Sequence, residues 1–363
     1  MITTLLAPSD ERWLSALSRC RHDFYHLPAY VDLMAKHEGG AGCAFLAEEG
    51  DGFFFLPLIV RPVTVVGASV QECPEERDAI SPYGYACPLV RLPSCDSERR
   101  RFLDAAIAAL KREMAERWVC SAFVRLHPLF GGTRRDLARH GIVAQQGETV
   151  FLDLGLSDVE LWRQTRKGHK SEINKLKRQG LVAEMDTSFR WYEDFIRMYR
   201  DTMERVGADT YYYFDPTYFS GLREALGRQL HLCVVRNETG LAAAALITES
   251  CGIVQYHLSA SVPSCSHPPA TKLIIDFVRC WAKERGNRVL HLGGGRGSNS
   301  DSLFSFKAGF SELRARFATW RLIFDEEMYA RACRAWEDAA GVKADDMCGF
   351  FPAYRKPIPD EQS

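Results

Sequence analysis

Three consecutive glycines follow a short apolar run late in the chain, and this pattern restricts what the segment can form. Val289 to Leu292 is rich in strand-forming residues, and Gly293, Gly294 and Gly295 come directly after it. Because glycine has no β-carbon, the backbone there can turn freely and another molecule can approach it closely. The segment therefore predicts a strand that ends in an open turn.

The residues after the glycines predict a short amphipathic helix that carries a lysine among aromatic side chains. Ser300 suits the N-cap of this helix, and Gly309 suits its C-terminal stop. Lys307 then lies in the last turn, next to Phe306. A functional site is one interpretation. The structural alternative is a plain loop followed by a lysine that complements the helix dipole.

Length and charge narrow the class of protein. A chain of 363 residues can hold two domains, and a net charge of −1 requires any phosphate contact to come from a local patch. The 12 cysteines include no CxxC pair, so we expect reduced thiols and no metal site. The N-terminus lacks the basic start and long apolar core of a signal peptide, and we expect a cytoplasmic protein.

The order of predicted elements in the second half indicates the fold class. Two strands, at Ile142–Ala144 and Val150–Leu154, precede a basic helix predicted over Leu161–Arg178. Further helices follow, one of them starting at Ser188, and then a three-stranded antiparallel meander within residues 231–260. Strand, helix and strand complete an α/β unit with a mixed sheet. The first half gives a looser version of the same order, which predicts an internal duplication, with a single elaborated domain as the alternative.

Four motifs together resemble the FemABX-like branch of the GNAT superfamily of N-acyltransferases. They lie in the expected order between residues 78 and 310: Ser81-Pro82-Tyr83-Gly84-Tyr85, Arg166-Lys167-Gly168-His169-Lys170-Ser171-Glu172-Ile173, Gln255-Tyr256-His257-Leu258-Ser259-Ala260, and Leu292-Gly293-Gly294-Gly295 with Leu303-Phe304-Ser305-Phe306-Lys307-Ala308-Gly309-Phe310. The resemblance implies two tandem GNAT-like domains. We place them at residues 1–149 and 150–330, followed by a C-terminal helix and tail at 331–363.

The same resemblance implies a reaction. It is transfer of an aminoacyl group from aminoacyl-tRNA to an amine of a peptide or peptidoglycan-precursor-like acceptor, with no cofactor beyond the donor. Two alternatives stay open, an acyl-CoA-dependent N-acyltransferase and a non-catalytic protein that binds an anionic surface. The chain has no long coiled-coil insertion of the kind that some relatives use to handle tRNA. The sequence leaves the oligomeric state open.

Lys307 and Phe306 are the candidate catalytic pair that the resemblance implies. Attack of an amine on an ester builds negative charge on the carbonyl oxygen, and a fixed cation aimed at that oxygen lowers the barrier. Tyr256 and His257 are neighbours on a predicted strand, so their side chains point to opposite faces, and one of them can handle the amine proton. The alternative for each of these residues is a structural role.

The substrate-binding candidates lie in several segments. The basic helix offers Arg166, Lys167 and Lys170 for phosphates, with a solvated helix face as the alternative. Gly293, Gly294 and Gly295 provide the open turn. The candidates for the acceptor pocket are Asp78, Ser81, Tyr83 and Tyr85. Arg205 is predicted to border the cleft.

One link argues against acyl-CoA as the donor. GNAT enzymes that use acetyl-CoA bind its pyrophosphate on a glycine-rich turn at a helix N-terminus. The corresponding link at residues 261–272 contains prolines and no glycine, and proline removes backbone N–H donors. The sequence therefore favours a donor bound elsewhere.

Overall fold

A computed structural model describes residues 1–65, 75–238, 240–263, 269–344 and 349–358. The chain divides into two compact units. Unit 1 comprises Met1–Gln146 together with Phe317–Ser363, and unit 2 comprises Gly147–Arg316. None of the described helices combines the length and the apolar content that crossing a bilayer requires.

The α-helices of the described residues are α1 (Glu11–Ser18), α2 (Pro28–His37), α3 (Asp96–Ala115), α4 (Arg134–Leu137), α5 (Asp158–Gln164), α6 (Lys167–Arg178), α7 (Tyr192–Val206), α8 (Pro216–Leu226), α9 (Thr271–Glu284), α10 (Ser302–Ala308) and α11 (Glu326–Ala340). Local sequence fixes several starts. Pro28 occupies the first turn of α2, where its missing N–H costs nothing. Ser157 and Glu160 form a capping box that starts α5.

The strands are β1 (Ile2–Leu6), β2 (Ala41–Glu49), β3 (Gly52–Pro62), β4 (Arg77–Ile80), β5 (Leu89–Arg91), β6 (Val119–Leu126), β7 (Ile142–Asp153), β8 (Val182–Met185), β9 (Leu230–Asn237), β10 (Gly240–Ser250), β11 (Ile253–Ser261), β12 (Val289–Gly293) and β13 (Arg314–Ile323). The predicted mixed α/β fold class is confirmed.

Unit 1 contains the strand order β1-β2-β3-β4-β6-β13, and β5 pairs with β3. β2 and β3 form a hairpin, with Gly50 of its turn in the left-handed region at φ +55°. β4 and β6 are parallel, joined through α3, whereas β13 is antiparallel to β6. An apolar cluster that includes Trp336 and Tyr354 attaches α11 and the C-terminal segment to this unit.

Unit 2 contains the strand order β7-β12-β11-β10-β9-β8. β9, β10 and β11 form the predicted antiparallel meander. β12 runs parallel to β11 and antiparallel to β7. The core lies between this sheet and the apolar sides of α5, α6 and α9, with Leu161, Ile173 and Ile274 among its fully buried members.

The two units have a similar order of elements. The last strand of each unit's run along the chain pairs in the sheet of the other unit. β6, α4 and β7 succeed one another, yet β7 pairs with β12 of unit 2 through residues 150–153. Likewise β12 and α10 lead into β13, which pairs with β6 of unit 1 through residues 318–323. The predicted boundaries 1–149, 150–330 and 331–363 differ from this division, since β13 and α11 belong to unit 1. Part of the predicted tail, at 345–348 and 359–363, lies outside the described residues.

Several local predictions are wrong in detail. The single helix predicted over Leu161–Arg178 is two helices, α5 and α6, because Thr165 is extended and the Arg166 amide donates to the carbonyl oxygen of Gly309 at 2.7 Å. The two strands predicted at 142–144 and 150–154 are one strand, β7. The helix predicted from Ser188 begins at Tyr192 instead.

Burial of His26 predicts a pH dependence of stability. Its Nε2–H donates to the Cys87 carbonyl at 3.0 Å, and burial, with the neighbouring His127, lowers its pKa from 6.5 to about 4 although Asp23 opposes the shift. Between these two pKa values the unfolded chain takes up a proton that the folded chain does not. The contribution of His26 to the free energy of unfolding is therefore fully present above pH 6.5. It is lost as pH falls towards 4, by about 3 kcal/mol.

Urea unfolding of the wild type and of His26→Gln from pH 7.5 to 4.5 measures this effect. We expect the variant to start less stable and to lose less stability on acidification. His37→Gln, at an exposed histidine of α2, is the matched control and should keep the wild-type slope. An equal slope for wild type and His26→Gln would contradict the assignment.

Candidate active site

Strands β11 and β12 define an opening in the sheet of unit 2. They pair only from Ile253↔Val289 to Gln255↔His291. β11 then continues to Ser261 beside β10, whereas β12 ends at Gly293. The backbone of β11 beyond Gln255 thus loses β12 as a neighbour. The glycine turn and α10 begin at this same end of β12.

The glycine turn is shaped by contacts with its own chain. Gly293 has φ +76°, a region that favours glycine. A β-carbon on Gly294 would lie 2.9 Å from the Glu148 carbonyl oxygen, and one on Gly295 would lie 2.0 Å from the Asn299 carbonyl oxygen. Gly294 and Gly295 are therefore required by internal packing. Their predicted contact with substrate stays a prediction.

Asp301 organises the turn and starts α10. Its carboxylate accepts from the Phe304 amide at 2.8 Å and from the Arg296 amide at 3.1 Å. Burial opposes ionisation, but these hydrogen bonds and the Arg296 guanidinium lower the pKa of Asp301. The N-cap is thus Asp301, and the predicted cap Ser300 is wrong by one position.

Lys307 is buried and directed back at the glycine turn. Its side chain is 9% exposed, and its Nζ donates to the Gly294 carbonyl oxygen at 2.7 Å. Burial lowers its pKa from 10.5 to about 8, while Asp301 acts in the opposite direction. A pKa near 8 leaves most of the population charged at pH 7 and makes the charge sensitive to small changes in surroundings.

Phe306 belongs to an aromatic cluster where α10 meets α6. Its ring lies 5.7 Å from the ring of Phe310 and 5.8 Å from that of His169. His169 Nε2–H donates to the Phe306 carbonyl oxygen at 2.9 Å. The aromatic surroundings predicted for this helix are present. The role of Phe306 in catalysis stays a prediction.

Tyr256 and His257 occupy different environments on β11. Tyr256 is buried in the core of unit 2, and burial raises the pKa of its phenol above the ordinary value, which suits a structural side chain. His257 is half-buried at the register shift between β10 and β11, where Leu246 pairs with Leu258 and Ile247 with Tyr256. Both catalytic assignments stay predictions.

The three predicted phosphate-binding side chains of α6 and its N-cap differ in their contacts within the protein. Lys170 donates to the Arg163 carbonyl oxygen at 3.1 Å and lies 5.8 Å from the centre of the Trp162 ring. Arg166 and Lys167 are exposed at the start of α6. Among the described residues their side chains form no ion pair, so this end of α6 presents two uncompensated cations.

Arg205 lies near the end of α7 and contacts the far end of β11. Its guanidinium donates to the Ser261 carbonyl oxygen at 3.0 Å. Arg296 of the glycine turn donates to the carbonyl oxygen of the neighbouring Val206 at 3.0 Å. The C-terminal turn of α7 therefore binds both β11 and the loop after β12, which are the two sides of the opening.

The predicted acceptor-pocket residues lie in unit 1, and two of them are fully buried. Asp78 accepts from Arg61 Nε at 2.9 Å and from the Tyr354 hydroxyl at 3.0 Å, and it also pairs with Arg355. Ser81 accepts from the Arg125 amide at 2.9 Å. Asp78 thus attaches the C-terminal segment to its unit, and substrate contact by either residue stays a prediction.

Tyr83 and Tyr85 are half-buried on either side of Gly84. The Tyr83 carbonyl oxygen accepts from the Tyr30 hydroxyl at 3.0 Å. The Tyr85 ring packs edge-on against Tyr25, with 5.7 Å between ring centres. Their observed contacts are structural, and a substrate role stays a prediction.

Three residues near the opening were not singled out from the sequence. His291 is fully buried, with one ring nitrogen 2.7 Å from Gln255 Oε1 and the other 2.9 Å from Thr149 Oγ1, and it links three strands. His169 and Asp301 are the other two. Asp301 could have been found, because aspartate three residues before the Phe304 amide is a regular capping pattern. Within the described ranges, no three His, Cys, Asp or Glu side chains converge to bind a metal ion.

Comparisons with known proteins show the same fold. Residues 163–301 match the family described as acetyltransferase (GNAT) domain. The crystal structure of FemX superposes with a TM-score of 0.67 at 13% identity, covering 91% of this chain and 99% of that chain. The structure of L-PGS from Bacillus licheniformis superposes with a TM-score of 0.51 at 14% identity, covering 87% and 92%. No curated protein matches the chain.

The match to the GNAT domain covers the opening between β11 and β12, the glycine turn and Asp301. The FemX likeness extends over nearly the whole chain, through both units. The resemblance to FemABX-like GNAT proteins is thus confirmed at the level of the fold.

Proposed function

We propose that this protein is a cytoplasmic FemABX-like N-acyltransferase that moves an aminoacyl group from aminoacyl-tRNA to an amine of a peptide or peptidoglycan-precursor-like acceptor. The observation that carries the proposal is the buried Lys307 ammonium, held on the Gly294 carbonyl oxygen beside the opening between β11 and β12. The chain shares its fold with FemX, and the FemABX-like resemblance of its motifs implies this reaction class.

Lys307 has the donors that the chemistry needs. The acceptor amine attacks the ester carbonyl, and the carbonyl oxygen becomes an oxyanion. An ammonium has three N–H donors, and Gly294 takes one of them. A remaining N–H can bind the oxyanion. Collapse of the intermediate breaks the ester C–O bond, the tRNA hydroxyl leaves with a proton, and the amine, having lost a proton, becomes an amide. The proposed reaction uses no metal and no cofactor besides the donor.

The start of α6 is the proposed contact for donor phosphates. Arg166 and Lys167 are exposed cations on the helix turn that binds the Gly309 carbonyl oxygen, only two residues after Lys307. Polyanion binding there would bring the aminoacyl end of a tRNA to the same part of unit 2.

The start of α9 is a poor place for the pyrophosphate of acyl-CoA. Glu172 of α6 pairs with Lys272 in the first turn of α9, so the cation at this helix start is already neutralised by a carboxylate. Residues 264–268 of the preceding proline-rich link lie outside the described residues. This carboxylate supports tRNA over acyl-CoA as the donor.

Substitution of Lys307 tests the proposed catalysis. We expect Lys307→Met to lower single-turnover aminoacyl transfer by about 10²–10³-fold, the usual cost of removing one oxyanion donor. Lys36→Met, at an exposed lysine of α2, is the matched control. A Lys307→Met variant that keeps the wild-type rate would refute the oxyanion role.

The pH profile tests the same residue by its charge. Only the ammonium form stabilises an oxyanion, so the wild-type rate should fall as pH rises through about 8. Hydroxylamine as acceptor keeps the nucleophile unprotonated throughout. In Lys307→Arg the guanidinium stays charged, and the fall near pH 8 should disappear. If both enzymes lose activity at the same pH, another group titrates.

Charge reversal on α6 separates the enzyme from a protein that only binds an anionic surface. We expect Arg166→Glu with Lys167→Glu to raise KM for charged tRNA about tenfold or more and to weaken its salt dependence. Arg100→Glu with Arg112→Glu on α3 is the control. The surface-binding alternative predicts lost binding with no dependence on Lys307. Unchanged KM would remove α6 from the donor site.

A further inference from the structure

The first turn of α6 holds the last turn of α10 by direct contacts. The Arg166 amide donates to the Gly309 carbonyl oxygen at 2.7 Å, and His169 Nε2–H donates to the Phe306 carbonyl oxygen at 2.9 Å. Carbonyls at the end of a helix have fewer backbone donors than those in its interior. The α6 residues supply a donor to each of these two, and the Phe306 carbonyl oxygen also accepts from the Gly309 amide at 3.1 Å. These two carbonyls flank Lys307 in the chain.

The packing around His169 leaves little freedom. The His169 ring is 4.8 Å from the Phe310 ring, and the residue is 6% exposed. A β-carbon on Gly309 would lie 2.3 Å from His169 Nε2, so the ring occupies the space that the glycine leaves open. His169 therefore holds the end of α10 by a hydrogen bond and packs its ring against the residues that follow, Gly309 and Phe310.

We propose that His169 is a positioning residue, which keeps the Lys307 ammonium on the Gly294 carbonyl oxygen by holding the backbone of Phe306. This inference rests on the proposed function for its effect on catalysis. His169 lies in the same helix turn as Arg166 and Lys167. The turn proposed to bind the donor therefore also holds the backbone next to Lys307. A displacement of about 1 Å at a reacting group can cost about 10²-fold in rate.

Burial supports this role over proton transfer. It lowers the pKa of His169 below the ordinary value, although the hydrogen bond to Phe306 opposes the shift. The ring is thus neutral near pH 7, with Nε2–H committed to the Phe306 carbonyl. A neutral ring that donates to a backbone carbonyl is suited to holding structure.

Three substitutions separate the hydrogen bond from the packing. His169→Phe keeps a ring and removes the donor. His169→Gln keeps an N–H donor, and His169→Ala removes both. We expect His169→Phe to lower kcat about 10–100-fold with KM for charged tRNA within about 2-fold of wild type, and His169→Gln to retain most of the activity. His140→Phe, at a half-buried histidine of unit 1, is the matched control and should leave kcat unchanged.

Titration of Lys307 gives a readout that does not need activity. Its Cε–Hε signals in ¹³C-labelled protein should titrate near 8 in wild type and His169→Gln, and closer to 10.5 in His169→Phe, where the ammonium becomes more hydrated. The titration decides the positioning claim even if the wild type transfers no aminoacyl group, a result that would refute the proposed function alone.

Unchanged kcat and an unchanged Lys307 titration in His169→Phe would overturn the inference. So would equal impairment of His169→Gln and His169→Phe. If His169→Phe does not fold, His169→Asn takes its place, because its shorter side chain withdraws the donor. A loss in His169→Asn that His169→Gln avoids supports the inference, and equal behaviour of the two refutes it.

Discussion

The rest of the proposed site depends on the hydrogen bond from the Lys307 ammonium to the Gly294 carbonyl oxygen. Burial of the ammonium costs free energy, and a pKa lowered from 10.5 to about 8 corresponds to a bias of about 3 kcal/mol against the charged form. The hydrogen bond to Gly294 and the attraction of Asp301 keep that form dominant at neutral pH. A fixed, weakly hydrated cation costs little to reorganise when charge develops on a carbonyl oxygen, which is the requirement for acyl transfer.

Backbone packing explains why this cation can be held so closely. Gly294 lies too near the Glu148 carbonyl oxygen, and Gly295 too near Asn299, for any side chain to fit. The turn is therefore compact, and one of its carbonyls comes within 2.7 Å of Lys307. Glu148 precedes the part of β7 that pairs with β12, so β7 helps to build the glycine turn.

Local sequence predicted the parts of the site that depend on neighbours along the chain. The strand, the glycine turn and the helix that carries Lys307 follow from residue preferences within about 25 positions. His169 could not be assigned a role in this way, because its partners at Phe306 and Phe310 are more than 130 positions away. The pairing of β7 with β12 likewise joins residues about 140 positions apart, beyond the reach of local preferences. The break between α5 and α6 depends on Gly309, which is equally remote.

The choice of donor is the claim to be tested. It rests on the exposed cations at the start of α6 and on Glu172 of α6, whose carboxylate pairs with Lys272 at the start of α9. Mass spectrometry after incubation with charged tRNA, acyl-CoA and a panel of peptide amines tests it most directly. The account predicts an amine that gains the mass of an aminoacyl residue while the tRNA is released uncharged. An amine that instead gains an acyl group from CoA, with the charged tRNA left intact, would contradict it.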